Sequence, residues 1–237
     1  MPLPNIVTPE FTTIIPSTNQ PIEFRPFLVK EEKILLMAQE GKDNAEIKKA
    51  VLNVLKNCVL TPIEVDKLPL FDIEYLYLKL RSKSIGEVIK LYIKHAENPD
   101  CNHENEFHLN LDDVKVNFKK DHKKVIELKD GIGIEMKYPS LEMINNKNYD
   151  IENMNTEEMF QVIHDCVLNI FDKDQVYNDF TKDELDNFIN KLSKEQFDKV
   201  LKFFETMPRL EHTVEFKCSK CGQNVKHELN NLTDFFL

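Results

Sequence analysis

The stretch Glu87-Val88-Ile89-Lys90-Leu91-Tyr92-Ile93-Lys94 decides the fold class, because its hydrophobic period is two. The same alternation of apolar and polar residues returns in Phe107–Leu111 and in Gly131–Tyr138. A period of two places successive side chains on opposite faces of an extended chain, which is typical of half-buried antiparallel strands. We therefore predict an antiparallel β section over residues 85–139, closed by Pro139.

Helical periodicity precedes this β section, in residues 29–84. Helices are predicted at about Lys30–Glu40, Asn44–Asn57 and Phe71–Ser82. In the second of these, apolar residues from Ile47 to Cys58 recur at the three- and four-residue spacings of one helical face. Asp43 followed by Glu46 gives this helix the start signal of a capping box.

A second helical region is predicted after the β section, in residues 140–208. Three helix starts are marked by capping pairs: Asn155 with Glu158, Thr181 with Glu184, and Ser193 with Gln196. The apolar stripe of the first of these helices runs from Met159 to Ile170. Pro208 ends the last helix.

The two ends of the chain complete an α+β prediction, in which helical bundle portions flank an antiparallel β section with two hairpins. Residues 1–28 are predicted to form a β arm or hairpin. Residues 209–237 are predicted to form a β-hairpin with a Cys-x-x-Cys tip, which packs on the 85–139 section. In one interpretation the two hairpins are a degenerate zinc ribbon.

The composition limits the partners and the location of the protein. Asp and Glu number 41 against 31 Lys and Arg, a formal net charge of −10, whereas a nucleic-acid binder usually has a basic surface. No apolar run approaches the roughly 20 residues of a membrane span. The start Met1-Pro2-Leu3-Pro4 lacks the basic and apolar segments of a secretory signal. We expect a soluble, cytoplasmic protein without nucleic-acid or membrane partners.

Cysteines provide the clearest chemical motif. Cys218-Ser219-Lys220-Cys221-Gly222 places two of the five cysteines at the predicted tip of the last hairpin. Such a turn points two thiolates at one ion, and Gly222 permits the positive φ that the turn needs. Cys58 and Cys166 fall in apolar helical registers and are predicted to be buried thiols.

A structural zinc ion needs four ligands, so two more must come from elsewhere in the chain. Cys101 and His103 lie at the tip of the other predicted hairpin, and both residue types bind zinc. The predicted ligands of a structural zinc ion are therefore Cys218, Cys221, Cys101 and His103.

The first hairpin lacks a complete cysteine knuckle. Asn98 stands where a Cys-x-x-Cys pair ending at Cys101 would begin. His95 and His227 are spare ligand candidates. Two interpretations stay open: a bound structural zinc ion, or two plain β turns with free thiols.

No motif for catalysis occurs in the sequence. It contains no Gly-rich phosphate loop, no Gly-x-Ser-x-Gly and no His-Glu-x-x-His. His164 stands beside Asp165, but neighbours on a helix do not face each other. We therefore expect that this protein is not an enzyme.

Several blocks of the sequence resemble the T-even-type baseplate hub assembly family, occur in the order of that family and span nearly the whole chain. They are Phe24–Ala38, Val65–Leu76, Leu80–Glu87, Ile134–Leu141, Phe203–Pro208 and Leu232–Phe236. On these residues the chain resembles the baseplate hub proteins of T4-type myoviruses, which are contractile-tailed phages.

The resemblance implies a role in assembling the central hub of the phage tail baseplate, as an assembly chaperone or as a hub subunit. The expected partners are other phage baseplate hub proteins, met in the host cytoplasm during assembly and, for a hub subunit, in the virion tail baseplate. Apolar contacts, with charge complementarity setting specificity, would carry the binding. Partner contacts are predicted at Phe24, Phe27, Phe235 and Phe236.

The alternative is a zinc-ribbon protein that binds nucleic acid, such as a regulatory protein of a phage. Lys217, Lys220 and Lys226 make the surroundings of Cys218 locally basic, although the chain as a whole is acidic. Retardation of DNA at physiological salt would favour this alternative.

Overall fold

The computed structural model describes residues 6–41, 43–95, 101–147 and 155–230. In these residues, seven helices combine with short strands in four antiparallel sheets, so the predicted α+β class is confirmed. In chain order the elements are β1 (Phe11–Ile14), β2 (Pro21–Phe24), α1 (Val29–Gly41), α2 (Asn44–Cys58), α3 (Leu70–Ser84), β3 (Val88–Lys94), β4 (Glu104–Asn110), β5 (Lys115–Asn117), β6 (Val125–Lys129), β7 (Ile132–Met136), α4 (Leu141–Lys147), α5 (Thr156–Cys166), β8 (Val167–Phe171), β9 (Val176–Tyr177), α6 (Lys182–Ile189), α7 (Lys194–Thr206), β10 (Arg209–Lys217) and β11 (Asn224–Leu229).

The chain divides into two compact units. The first unit combines Met1–Asn117 with Arg209–Leu237, and the second unit is Phe118–Pro208. The predicted 85–139 β section falls in both units, because β3, β4 and β5 belong to the first and β6 and β7 to the second. The predicted helical region 140–208 also contains two strands, β8 and β9.

The N-terminal hairpin is present in the first unit, where β1 and β2 pair in antiparallel register with Phe11 opposite Phe24. Its turn is held by Asp72 of α3. The backbone N–H of Ser17 donates to Asp72 Oδ1 at 3.0 Å, and the Ser17 hydroxyl bonds the other carboxylate oxygen. Asp72 is fully buried, so these bonds supply partners that a buried carboxylate needs.

The period-two pattern of β3 appears directly in its burial. Every second side chain is buried, and the strand pairs with β4 along its whole length. The buried residues Ile89, Leu91 and Ile93 enter one apolar cluster with Leu210 and Val214 of β10. The β3–β4 hairpin and the C-terminal hairpin therefore share a core, although 98 residues lie between Asn110 and Arg209 in sequence.

Strand β10 holds the C-terminal hairpin in place. It pairs with β11 on one side and with β5 on the other, where Leu210 lies opposite Val116. Leu210 is fully buried. This sheet joins the last hairpin to a strand of the predicted β section.

The second unit contains the four-stranded sheet β6-β7-β8-β9 and helices α4 to α7. The prediction of one helical stripe from Met159 to Ile170 is wrong, because α5 ends at Cys166 and the chain continues as strand β8. Val167 and Ile170 pair with Met136 and Ile134 of β7. A short apolar run can form either a buried helix or a strand, and here the pairing with β7 makes it a strand.

The helices of the described residues are all too short or too polar to cross a lipid bilayer.

Candidate metal centre

Two hairpin tips meet at one end of the shared core of the first unit. Strand β3 continues into His95, and Cys101 precedes the start of β4. Between β10 and β11 lies the Cys218–Gln223 turn. The β3–β4 pair and the β10–β11 pair bring these tips together because both hairpins bury their inner faces in the same cluster.

The turn after β10 has the geometry of a cysteine knuckle. The N–H of Cys218 donates to the Gln223 carbonyl, and the N–H of Gly222 donates to the Cys218 carbonyl, both at 2.8 Å. Gly222 has φ +74°, which is the left-handed region that glycine adopts without strain. A Cβ added there would meet no atom within 4 Å, so backbone conformation rather than space favours glycine.

Four side chains converge between the tips: His95, Cys101, Cys218 and Cys221. Their ligand atoms all lie within 4.8 Å of one another. The Sγ atoms of Cys101 and Cys218 are 3.7 Å apart, and Cys221 Sγ is 3.4 Å from His95 Nδ1. A tetrahedral zinc ion with Zn–S bonds of about 2.3 Å separates its sulfur ligands by about 3.8 Å. The arrangement is therefore compatible with a Cys₃His zinc site.

Asn105 links the two tips around this cluster. Its Oδ1 accepts the N–H of Ser219 at 2.9 Å and the Ser219 hydroxyl at 3.0 Å. Its Nδ2 donates to Cys218 Sγ at 3.6 Å and to the His103 carbonyl at 3.3 Å. Asn105 is buried, so its amide orients Cys218 from a fixed position.

The electrostatics favour a thiolate at Cys218. The backbone N–H of Cys221 lowers the pKa of Cys218 to about 5, against the effect of burial and with help from the Lys220 N–H and the Asn105 amide. Burial raises the pKa of Cys101, and its hydrogen bonds with Cys221 and Cys218 raise it further. Thiolate is the form that binds metal. The lowered pKa of Cys218 favours its thiolate without an ion, whereas the thiolate of Cys101 would need a bound ion to stabilise it.

The structure places three of the four predicted ligands, Cys101, Cys218 and Cys221, in this cluster. His103 instead lies with its Nε2 3.0 Å from Ser219 Oγ, and the spare candidate His95 is the nearby imidazole. Position 95 continues the buried series Ile89, Leu91, Ile93, and it is itself 2% exposed. Strand parity is a sequence signal that could have selected this histidine over His103.

The remaining predicted residues lie elsewhere. His227 is exposed on β11 opposite Val214. Asn98 is outside the described residues. Cys58 and Cys166 are fully buried, as predicted, and burial raises the pKa of Cys58 to about 11 and that of Cys166 to about 12. Cys58 belongs to the core of the first unit and Cys166 to the core of the second unit.

A protein-family match extends over nearly the whole chain and includes the four candidate metal ligands. The family model described as T4 bacteriophage base plate protein matches residues 8–237. The chain belongs to this baseplate family. No curated protein and no solved structure matches this baseplate protein.

Family membership confirms the resemblance to T4-type baseplate proteins and makes the chain a phage baseplate protein. It favours this interpretation over the zinc-ribbon regulator of nucleic acid. The baseplate identification also implies contacts with other phage baseplate proteins and a place in the virion tail baseplate.

The predicted partner contacts divide between described and undescribed residues. Phe24 and Phe27 are buried within the first unit, 4% and 8% exposed, and Phe24 packs beside Phe11 with ring centroids 6.0 Å apart. Rings in these positions serve the core of the chain itself and offer little surface to a partner. Phe235 and Phe236 lie outside the described residues, so contact there stays a prediction.

Proposed function

We propose that this baseplate protein acts in assembly of the baseplate hub, through contacts with other hub proteins and without catalysing a reaction. The observation that carries the proposal is the family match over residues 8–237. The six sequence blocks that resemble hub assembly proteins narrow the proposal from the baseplate to its hub.

Exposed apolar side chains on α1 support a role in protein contacts. Val29, Leu36 and Met37 are 80%, 52% and 62% exposed, in a helix whose buried side includes Leu35. Neighbouring exposed apolar groups on a soluble protein commonly mark an interaction surface.

Two histidines of the second unit, His122 and His164, make contacts that a structural role explains. His122 Nδ1 is 3.0 Å from Thr206 Oγ1, and its Nε2 is 3.0 Å from Tyr138 OH. His164 Nε2 is 2.7 Å from Asp186 Oδ1. These contacts fasten segments of the second unit to one another.

Recovery of complexes from infected cells tests the hub role. A tagged full-length chain, purified at mild salt during infection by its phage, should bring down baseplate hub proteins in constant ratio. A variant with Leu36→Gln and Met37→Gln should recover less of them, whereas Lys33→Gln with Glu40→Gln, on the same helix, should not. Recovery of no hub protein by the unaltered chain would refute the proposal.

We also propose that Cys101, Cys218, Cys221 and His95 hold a structural zinc ion. The support is the convergence of four ligand atoms within 4.8 Å, with separations of 3.7 Å between Cys101 and Cys218 and 3.4 Å between Cys221 and His95 that fit a tetrahedral ion. Such an ion would fasten two hairpin tips that are also joined by the hydrogen bonds between Asn105 and Ser219 and by the His103–Ser219 contact.

Elemental analysis of protein purified without chelator tests the zinc site. We expect close to one zinc ion per chain, loss of zinc in Cys218→Ser and His95→Ala, and retention in the matched control His103→Ala. Zinc-free protein would leave the two tips as plain β turns. Loss of zinc in His103→Ala, with retention in His95→Ala, would restore the ligand set first predicted from the sequence.

A further inference from the structure

A groove in the second unit lies between the Asp121–Glu127 segment and α7. Its volume is about 740 Å³. Residues that line it include Lys123, Lys124, Ile126, Lys199, Lys202 and Phe203. The groove therefore combines a lysine rim with an apolar floor.

The rim carries positive charge that the groove's own carboxylates do not balance. Lys202 Nζ lies 3.2 Å from Asp121 Oδ2, and Lys199 Nζ reaches the carbonyl oxygens of Glu127 and Leu128 at 3.4 and 3.3 Å. In the described part of the chain, no carboxylate forms an ion pair with Lys123 or with Lys124. Both are exposed lysines in a protein whose net charge is −10.

The surroundings of His122 show the same positive field. Burial lowers the pKa of His122, and the charge of Lys124 lowers it further, against the opposite effect of Asp121. Lys124 itself lies with its Nζ 4.6 Å from the centre of the Tyr138 ring, a cation–π contact that fixes it beside the groove.

Among the apolar residues that line the groove, Val125 is the one exposed to a partner, and none of them offers an exposed ring for stacking. Ile126 is 8% exposed and Phe203 is 2% exposed, while Val125 beside them is 45% exposed. Single-stranded nucleic acid is usually held by exposed aromatic rings on which bases stack, and Phe203 is too deeply buried for this. Asp121 and Glu127 also line the groove and would repel a chain of phosphates.

We propose that this groove binds an extended acidic segment of another baseplate protein, with carboxylates on Lys123 and Lys124 and an apolar side chain over Val125. Charge complementarity argues for this occupant, since acidic side chains can be spaced to meet the lysines and avoid the two carboxylates. The inference rests on the proposed role in protein contacts and names the chemistry of one partner.

Fluorescence anisotropy with a labelled peptide of alternating Glu and Leu tests the proposal on the full-length protein. We expect saturable binding at low salt that weakens as salt rises, because exposed ion pairs are screened. Lys123→Glu with Lys124→Glu should weaken binding at least tenfold. Lys33→Glu with Lys49→Glu, exposed lysines of the first unit, make the same change of net charge and should leave the affinity within twofold.

The outcomes separate this proposal from the hub role. Absence of saturable binding, or equal loss in the two variants, would overturn the groove proposal and leave recovery of hub proteins unaffected. Tighter, equally lysine-dependent binding of a single-stranded DNA of matched length would assign the groove to nucleic acid instead. Circular dichroism of each variant, with Lys123→Gln and Lys124→Gln as a milder pair, confirms that the fold is intact.

Discussion

Asn105 is the buried amide that joins the two cysteine-bearing tips. It accepts two hydrogen bonds from Ser219 and donates to Cys218 Sγ and the His103 carbonyl. A buried polar group of this kind costs stability when one of its partners is left unpaired. The same amide orients Cys218, a proposed metal ligand, so its loss should affect both stability and zinc binding.

We expect Asn105→Ala to lower the free energy of unfolding by about 2 kcal/mol, because the Ser219 N–H loses its acceptor. Zinc affinity should fall by roughly tenfold or more. Urea unfolding and competition with a chromophoric zinc chelator measure the two effects. Asn224→Ala, at an exposed position of β11, is the matched control and should change neither. An unaltered zinc affinity in Asn105→Ala would contradict the orienting role.

Arg25 and Glu31 form a largely buried ion pair between the N-terminal hairpin and α1. Arg25 Nη2 lies 2.9 Å from Glu31 Oε1, and the Leu28 N–H donates to the other oxygen at 2.9 Å. Burial alone would raise the pKa of Glu31, but the hydrogen bonds from Arg25 and Leu28 outweigh it and hold the pKa below its usual value. The pair therefore contributes stability in the ionised state.

Arg25→Ala should lower the free energy of unfolding at neutral pH by about 2 kcal/mol, because Glu31 is left buried and charged without its cation. Lys30→Ala removes an exposed lysine 3.4 Å from the same carboxylate and should cost less than about 0.5 kcal/mol.

Since the folded-state pKa of Glu31 is lowered, its stabilisation is present above the ordinary glutamate pKa and is lost as pH falls through the lowered value. Urea unfolding at several pH values should show the effect of Arg25→Ala shrinking in acid; a constant effect would contradict the assignment.

Residue identities allowed most of the candidate site to be predicted. The Cys-x-x-Cys-Gly sequence encodes its own turn, so Cys218 and Cys221 could be assigned from local chemistry. His95 directly follows β3 and His103 directly precedes β4. The choice between them depends on which of the two side chains faces the other hairpin tip. The parity of β3 places His95 on the buried face, but the position of the other tip, more than a hundred residues away, is not visible in the sequence.

At the scale of elements, helix starts were the most predictable feature. Three of the four predicted capping pairs, at Asn155, Thr181 and Ser193, form complete capping boxes, whereas Asp43 caps α2 by accepting from the Ala45 N–H without a complete box. A capping box satisfies backbone N–H groups of the first turn from within four residues of sequence. Its signal is therefore local and independent of tertiary contacts.

Ser193 should make a measurable contribution to α7. Replacing it by alanine removes the acceptor for the Gln196 N–H and should lower the free energy of unfolding by about 1 kcal/mol. Ser193→Gly is the matched comparison and should cost only a few tenths of a kcal/mol, roughly, because glycine is tolerated at this position. Thermal and urea unfolding measure both; an alanine variant as stable as the glycine variant would show that the cap contributes little.

The end of α5 could not be predicted in the same way. Its apolar stripe continues through Val167 and Ile170, but no glycine or proline marks a stop after Cys166. The strand forms because β7 offers a partner edge, with Gly133 opposite Phe171 at the close of the ladder. Because the partner strand β7 lies elsewhere in the chain, the local hydrophobic period does not show where α5 ends.

At the scale of the whole molecule, the division into two units was not predicted. The return of β10 to pair with β5 places Arg209–Leu237 in one unit with Met1–Asn117 and leaves Phe118–Pro208 as a separate unit. β5 has only three residues, and the local sequence of neither strand marks the other as its partner. The family resemblance, by contrast, was visible in the sequence because its blocks are distributed along the chain, and the match over residues 8–237 confirms it at the level of the baseplate.

Removal of zinc should loosen one unit and leave the other unchanged. A chelator should reduce hydrogen-exchange protection in β3, β4, β10 and β11, since the proposed ion fastens the tips of these two hairpins. Protection of α5, α6 and α7 should stay within error, which makes them an internal control. Exchange followed peptide by peptide with mass spectrometry measures both. Loss of protection that spreads equally over both units would contradict a local structural role for the ion.

Cryo-electron microscopy of baseplate hub intermediates, compared with mature tails of the same phage, tests the proposed hub role most directly. We expect density for this chain in direct contact with hub proteins in the intermediates. Its persistence in mature tails would identify a hub subunit, and its departure would identify an assembly chaperone. Complete absence from every hub intermediate, with normal hubs assembled in its absence, would contradict the proposal.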